Sequence, residues 1–249
     1  MLRSTKRLHG YKLGASDGAI GHVKDFYFDD SKWTVRYVVA DTGSWIQGRL
    51  VLLSPRAFGK LDHDEKILHV NLTRHQIENS PSIESHKPVS RQYEEEYHQY
   101  YGWPYYWQGD AIWGMSGFPI LTELPVPFAG EQASKTPGKQ ESADAHLRSA
   151  QVIGHYKIQA RDELIGHVSD LIVDDETWAI HDLAVHTGAW LSGKNVLIAP
   201  RQIERISWNE SKVLVNLSKE EILHAPLYDE SSLNGTREVA GPEQMTIFV

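Results

Sequence analysis

The residues best suited to chemistry in this chain are its 13 histidines and 33 acidic residues, and one arrangement of them is written twice. Gly21-His22-Val23-Lys24-Asp25, followed by Asp29, returns as Gly166-His167-Val168-Ser169-Asp170, followed by Asp174. An imidazole three positions from a carboxylate suggests a metal-ligand pair or a proton relay. The neighbouring residues argue against both. Val23 to Phe28 is rich in β-branched and aromatic residues and reads as a strand. Side chains alternate faces on a strand, so His22 and Asp25 point opposite ways and share no ion unless a bulge intervenes. The histidines are expected to face solvent or bond locally. Asp25, Asp29, Asp170 and Asp174 are expected to cap turns or accept from backbone amides. A buried acid can mark a functional site, but here the turn signals nearby carry more weight.

Other catalytic patterns are missing. No helical HExxH pair, Gly-x-Ser-x-Gly or Gly-x-Gly-x-x-Gly occurs. Ser192-Gly193-Lys194 looks like the end of a phosphate loop, but it lacks the upstream glycines, and the first copy reads Gln47-Gly48-Arg49. There is no cysteine, which excludes thiolate catalysis, a cysteine zinc site and a disulfide framework. The expectation is a non-enzymatic protein with no catalytic residue, no cofactor and no metal.

The elements that carry these residues are themselves repeated. The offset of 145, from Gly21 to Gly166, holds without a gap from Tyr11/Tyr156 to Pro81/Pro226. Roughly a third of the paired positions are identical, which chance does not produce. Each copy reads as short strands punctuated by turns. In the first, Tyr11-Lys12-Leu13 is a strand and Asp17-Gly18 a turn. Val23 to Phe28 and Trp33 to Ala40 flank a loop at Asp29-Asp30-Ser31-Lys32. Thr42-Gly43 turns the chain, Leu50 to Leu53 is an apolar strand ended by Pro55, and Ile67 to Leu72 is the last strand. Thr73 with Gln76, and Ser218 with Glu221, predict capping boxes opening short helices, which Pro81 and Pro226 close. Several short strands in so few residues would close into a small antiparallel barrel, with Phe26/Leu171, Phe28/Val173, Val38/Leu183 and Val51/Val196 in the cores.

Between the copies the composition changes. Ser90 to Gly102 predicts a helix with Tyr93, Tyr97, Tyr100 and Tyr101 on one face and Gly102 as its stop. A segment dense in Trp and Tyr follows. From about Ala129 to Ala150 the residues are small and polar, as in a flexible linker. Tyr93, Tyr97, Tyr100 and Trp103 are expected to pack onto a barrel. The candidate interaction surface is Trp45, Trp190, Trp103, Tyr105, Tyr106, Trp107 and Trp113, because Trp and Tyr anchor protein interfaces. Trp33 and Trp178, which follow matching turns, are expected to cover barrel ends or the surface between barrels.

The net charge of −8 argues against a duplex nucleic-acid partner. The basic start of the chain has no apolar run behind it, so it is not a secretory signal, and no stretch is long enough to span a bilayer. A cytoplasmic chain is expected. Peripheral membrane association stays open, although Glu94-Glu95-Glu96 would repel anionic lipid.

The repeat unit resembles the PRC-barrel domain. The resemblance rests on Gly21 to Asp25 with Asp29, Gly166 to Asp170 with Asp174, Thr42-Gly43-Ser44-Trp45, Thr187-Gly188-Ala189-Trp190, and the apolar strands ending at Pro55 and Pro200. The family includes the cytoplasmic part of the photosynthetic reaction-centre H subunit and a module of a ribosome-maturation factor. The resemblance implies a small β-barrel used for protein interaction. The expected fold is mainly β with short helices: two tandem antiparallel PRC-type barrels joined by an aromatic-rich, partly helical linker. Residues 5–82 and 150–228 would be the barrels, 83–149 the insert and linker, and 229–249 a tail. The barrels would pack with pseudo-two-fold symmetry, in a monomer or a homodimer. The expected role is a scaffold for an unknown protein partner. Two alternatives are an accessory of photosynthetic or electron-transport membranes and a metal-dependent or small-molecule enzyme.

Overall fold

The computed structural model describes residues 1–46, 48–81, 83, 89–121, 147–188 and 193–229. The first half contains β1 (Leu2–Ser4), α1 (Thr5–Leu8), β2 (Lys12–Ala15), β3 (Gly18–Asp29), β4 (Thr34–Asp41), β5 (Leu50–Leu53), β6 (Phe58–Asp62), β7 (Ile67–Val70) and α2 (Arg74–Glu78). Helix α3 (Arg91–Tyr101) belongs to the insert. The second half repeats the series: β8 (Leu147–Ser149), α4 (Ala150–Ile153), β9 (Lys157–Gln159), β10 (Leu164–Asp174), β11 (Ile180–His186), β12 (Asn195–Ile198), β13 (Ile203–Ser207), β14 (Lys212–Val215) and α5 (Lys219–Leu223).

The protein is mainly β, with two sheets of identical order, β5-β4-β3-β2-β7-β6 and β12-β11-β10-β9-β14-β13. The ladders are antiparallel except for one pair in each sheet, β2 with β7 and β9 with β14, which is parallel. The reason is connectivity: four strands intervene between β2 and β7, enough chain to return in the same direction. The intended core pairs are all buried, and one continuous apolar cluster runs through both halves. The helix boundaries follow local chemistry. Both capping boxes form, at Thr73/Gln76 and Ser218/Glu221, and Gly102 ends α3 in the left-handed region with φ 67°.

The seventh strand of each sheet comes from the other half. β1 pairs antiparallel with β10, and β8 pairs antiparallel with β3. Leu147–Ser149, expected at the end of a flexible linker, is thus a strand of the first sheet. The halves also exchange bonds at their hairpins: Val35 N–H donates to the Trp178 carbonyl at 2.8 Å, and Ile180 N–H to the Trp33 carbonyl at 2.7 Å. Trp33 and Trp178 hold positive φ, 47° and 60°, to close the loops that begin at Asp29 and Asp174. Trp178 then reaches across to stack on Phe26 and to meet Phe58 edge-on.

The repeated glycine that opens each Gly-His-Val motif is required by crowding. A Cβ at Gly21 would lie 1.9 Å from the Asp41 carbonyl oxygen, and one at Gly166 would lie 1.9 Å from that of His186. Just beyond it the ladder shifts register between Val23 and Asp25, and between Val168 and Asp170. Despite that bulge, His22 stays exposed while Asp25 is buried.

Candidate functional site

The insert closes over the outer face of β4 and β5 and builds a buried polar cluster there. Arg36 and Tyr37 rise from an otherwise apolar strand and are almost fully buried. Tyr37 Oη stands 3.1 Å from Glu94 Oε1, and Tyr106 Oη donates to the same oxygen at 2.7 Å. Arg91 pairs with the other oxygen at 3.1 Å. Glu94 is therefore a buried anchor, not part of an acidic surface with Glu95 and Glu96, which are exposed. Three donors around one carboxylate offset the cost of taking its charge out of water.

His98 completes the cluster. Its Nδ1 lies 3.0 Å from the Pro104 carbonyl, so that nitrogen carries the proton, and Nε2 faces Tyr37 Oη at 3.3 Å. Burial lowers its pKa from the usual 6.5 to about 4, so the ring is neutral near pH 7. Burial also lowers Arg56 to about 10, helped by the like charge of Arg36. Burial alone would raise the Asp29 carboxyl, but the Ser31 hydroxyl and the Arg36 charge together pull it below its ordinary value. Tyr37 and Tyr106 lie well above theirs, first through burial and then through Glu94. Both phenols stay protonated and act as donors. The cluster positions the insert.

The aromatic residues expected to contact a partner divide by exposure. Trp103, Tyr106 and Trp113 are buried, at 9%, 3% and 2% exposed, so their rings pack inside the protein. The Arg36 guanidinium lies 3.9 Å from the Tyr106 ring centroid and 4.9 Å from that of Trp113, and Arg56 lies 5.5 Å from Trp113. Tyr105 and Trp107 are half-buried and stack on each other at 4.6 Å, and the Arg91 guanidinium covers Trp107. Trp45 is half-buried beneath Arg74. Trp190 lies outside the described residues, as do residues 129–146 of the expected linker and 230–249 of the tail. Of the helix tyrosines, Tyr97 is fully buried and its hydroxyl donates to the Leu52 carbonyl at 3.1 Å; Tyr100 stays exposed.

What the insert leaves open is a different set. Met115, Phe118, Ile120 and Leu121 are 91%, 47%, 55% and 46% exposed within seven consecutive residues. Arg56 fixes this strip from beneath by donating to the Ile120 carbonyl at 3.2 Å. Leu121 and Tyr100 line a groove of 440 Å³ together with Leu72, Gln76, Tyr101 and Trp103. Sequence reading missed the strip, because scattered Met, Phe, Ile and Leu carry no periodicity. It also missed Arg36, although one arginine inside an apolar strand was a usable signal.

The repeated carboxylates bond across the halves. Asp25 accepts from Ser149 Oγ at 2.5 Å and from Gln151 N–H at 3.1 Å; Asp170 accepts from the Ser4 and Thr5 hydroxyls and from Lys6 N–H. Each accepts a backbone amide, as expected, but from the other half; the carboxylates that cap their own turns are Asp29, which accepts from Ser31 and Lys32 N–H, and Asp174, which accepts from Glu176 and Thr177 N–H. Burial raises both carboxyls against the pull of those bonds. His167 and His186 face each other across β10 and β11 with ring centroids 5.3 Å apart. No helix among the described residues is long and apolar enough to cross a membrane.

No curated protein matches the chain. Residues 148–222, running from the strand that crosses into the first sheet to the last helix of the second half, match the PRC-barrel domain.

Proposed function

We propose that this protein is a non-enzymatic scaffold built from two PRC-barrel units, the first half being a second copy of the matched domain. The two identical sheet orders and the gapless offset of 145, from Gly21 to Gly166, support the duplication. The observation that carries the scaffold reading is the exposed strip from Met115 to Leu121, held on a well-packed base by Arg56, Trp113 and the Glu94 cluster. Apolar side chains displayed side by side in water are the ordinary signature of a protein-binding surface. Tyr100 and the half-buried Tyr105 and Trp107 lie on the same insert and would add contact at its rim.

Co-purification from the native cell with the intact chain, against a Phe118→Glu/Ile120→Glu double variant, tests this. The expected result is a partner recovered with the wild type and lost with the variant. Recovery of no partner, together with turnover in an activity screen, overturns it.

A further inference from the structure

Trp113 occupies a slot whose counterpart in the second half is open. In the first half, Arg36 and Arg56 flank the indole; Arg56 donates to the Trp113 carbonyl at 3.1 Å, and Arg36 donates to the Ile112 carbonyl. From across the pseudo-two-fold, the Thr177 carbonyl accepts from Trp113 Nε1 at 2.7 Å. The residues at the offset that relates Gly21 to Gly166 are His181 for Arg36, Arg201 for Arg56, and Lys32 for Thr177. All three line a single cleft of 590 Å³, with Trp33, Ile180 and Pro200 as its apolar walls.

We propose that this cleft docks an extended peptide of a partner protein, one carrying an aromatic side chain next to acidic residues. The proposal deepens the scaffold reading and rests on it. The shape follows from the filled slot, where an aromatic ring sits between cationic side chains that also bind its backbone carbonyls. The charge follows from Lys32 and Arg201, both exposed: Lys32 Nζ reaches only the Asp110 carbonyl, at 3.4 Å, and the Arg201 guanidinium has no hydrogen bond or ion pair among the described residues, while the exposed His181 ring meets the Asp182 carboxylate at 2.8 Å. The Asp174 carboxylate in the same lining is already engaged by Thr177, the Glu176 amide and the N-terminal amine. A cationic spot on a chain of net charge −8 selects an acidic partner against the protein's own general field.

The described chain supplies no occupant of its own. The insert is spent on the first half. After α5 the backbone pairs along β12 from Leu197 to Asn195, moving away from Ala199 and Pro200 at the cleft: Leu197 N–H donates to the Pro226 carbonyl at 2.8 Å, and Tyr228 N–H to that of Asn195 at 2.9 Å.

The test uses the full chain and a fluorescein-labelled synthetic peptide of this protein's own segment, Gln-Gly-Asp-Ala-Ile-Trp-Gly-Met-Ser. Anisotropy titration should saturate, and either replacing the peptide's Trp with Ala or making Lys32→Ala/Arg201→Ala in the protein should weaken binding at least tenfold. A Phe118→Glu/Ile120→Glu chain should bind the peptide as the wild type does. Absence of saturation at millimolar peptide overturns the proposal. So does binding that survives Lys32→Ala/Arg201→Ala but is lost in Arg56→Ala, because the peptide would then be displacing Trp113 from its own slot. If a natural partner is still recovered through the Met115–Leu121 strip while the peptide fails to bind, the cleft proposal falls and the scaffold reading stands.

Discussion

The Ser149 hydroxyl donates to the Asp25 carboxylate at 2.5 Å, joining residues 124 positions apart, and Ser4 makes the matching bond to Asp170 across 166 positions. Each serine also caps the helix that follows it: Ser4 accepts from Arg7 N–H, and Ser149 from Val152 N–H. One side chain thus starts a helix of its own half and pins that half to the other. Ser4→Ala and Ser149→Ala are each expected to cost about 1 kcal/mol, and the double variant about 2, since the two clusters share no partner. Urea unfolding midpoints read this; a double variant no weaker than either single would show that the bonds form one unit.

The exchange of β1 and β8 predicts that neither half is complete alone. A fragment ending at residue 146 and one starting at residue 147 are each expected to be poorly soluble, and to form a 1:1 complex when co-expressed. Size-exclusion chromatography with light scattering decides it. Two separately stable monomers would mean that the exchanged strands contribute little.

Gly21→Ala and Gly166→Ala each place a methyl group against a backbone carbonyl that cannot retreat without breaking the β3–β4 or β10–β11 ladder. Each is expected to cost on the order of 3 kcal/mol, beyond an ordinary glycine replacement, and the two should be similar in size. Thermal melts compare them.

Acid should loosen the insert. A base whose folded pKa is depressed contributes stability that is intact above its unfolded pKa and is lost as pH falls toward the folded one. For His98 that window runs from 6.5 down to about 4. The loss across it is about 3 kcal/mol. His98→Gln, whose amide can still donate to the Pro104 carbonyl, should be less stable than wild type at neutral pH and lose less on acidification. Asp25 and Asp170, with raised carboxyl pKa values, act in the opposite sense and are common to both proteins, so the difference between their pH profiles isolates the histidine.

Trp113→Ala removes a nearly fully buried indole and strands two arginines beside a cavity. It is expected to cost about 3–5 kcal/mol and to expose residues 103–121 to limited proteolysis while both sheets keep their far-ultraviolet signal. Global unfolding in place of local cleavage would show that the insert and the first sheet melt together.

Much of the fold was legible without coordinates. β5 lies where its apolar run predicts, α3 is capped by Ser90 and Gly102, and both capping boxes form on the named residues. These features depend on interactions within a few residues, such as a hydroxyl and an amide three apart or a glycine at positive φ. β6 was missed because Phe58–Asp62 has only weak alternation and takes its strand form from β7. The sites were less legible. That Trp103, Tyr106 and Trp113 are buried while Met115 and Phe118 are exposed depends on Arg36 and Glu94 meeting them from distant parts of the chain.

From residue order alone came the repeated pattern, most strand and helix positions and the turn-capping role of Asp29 and Asp174, because local backbone chemistry repeats wherever the same short motif recurs. Only the folded chain decided that β1 and β8 change places and that Trp113 fills one of two related slots. A strand's edge and a cationic cleft accept any segment of suitable shape, and which segment arrives is set by three-dimensional reach.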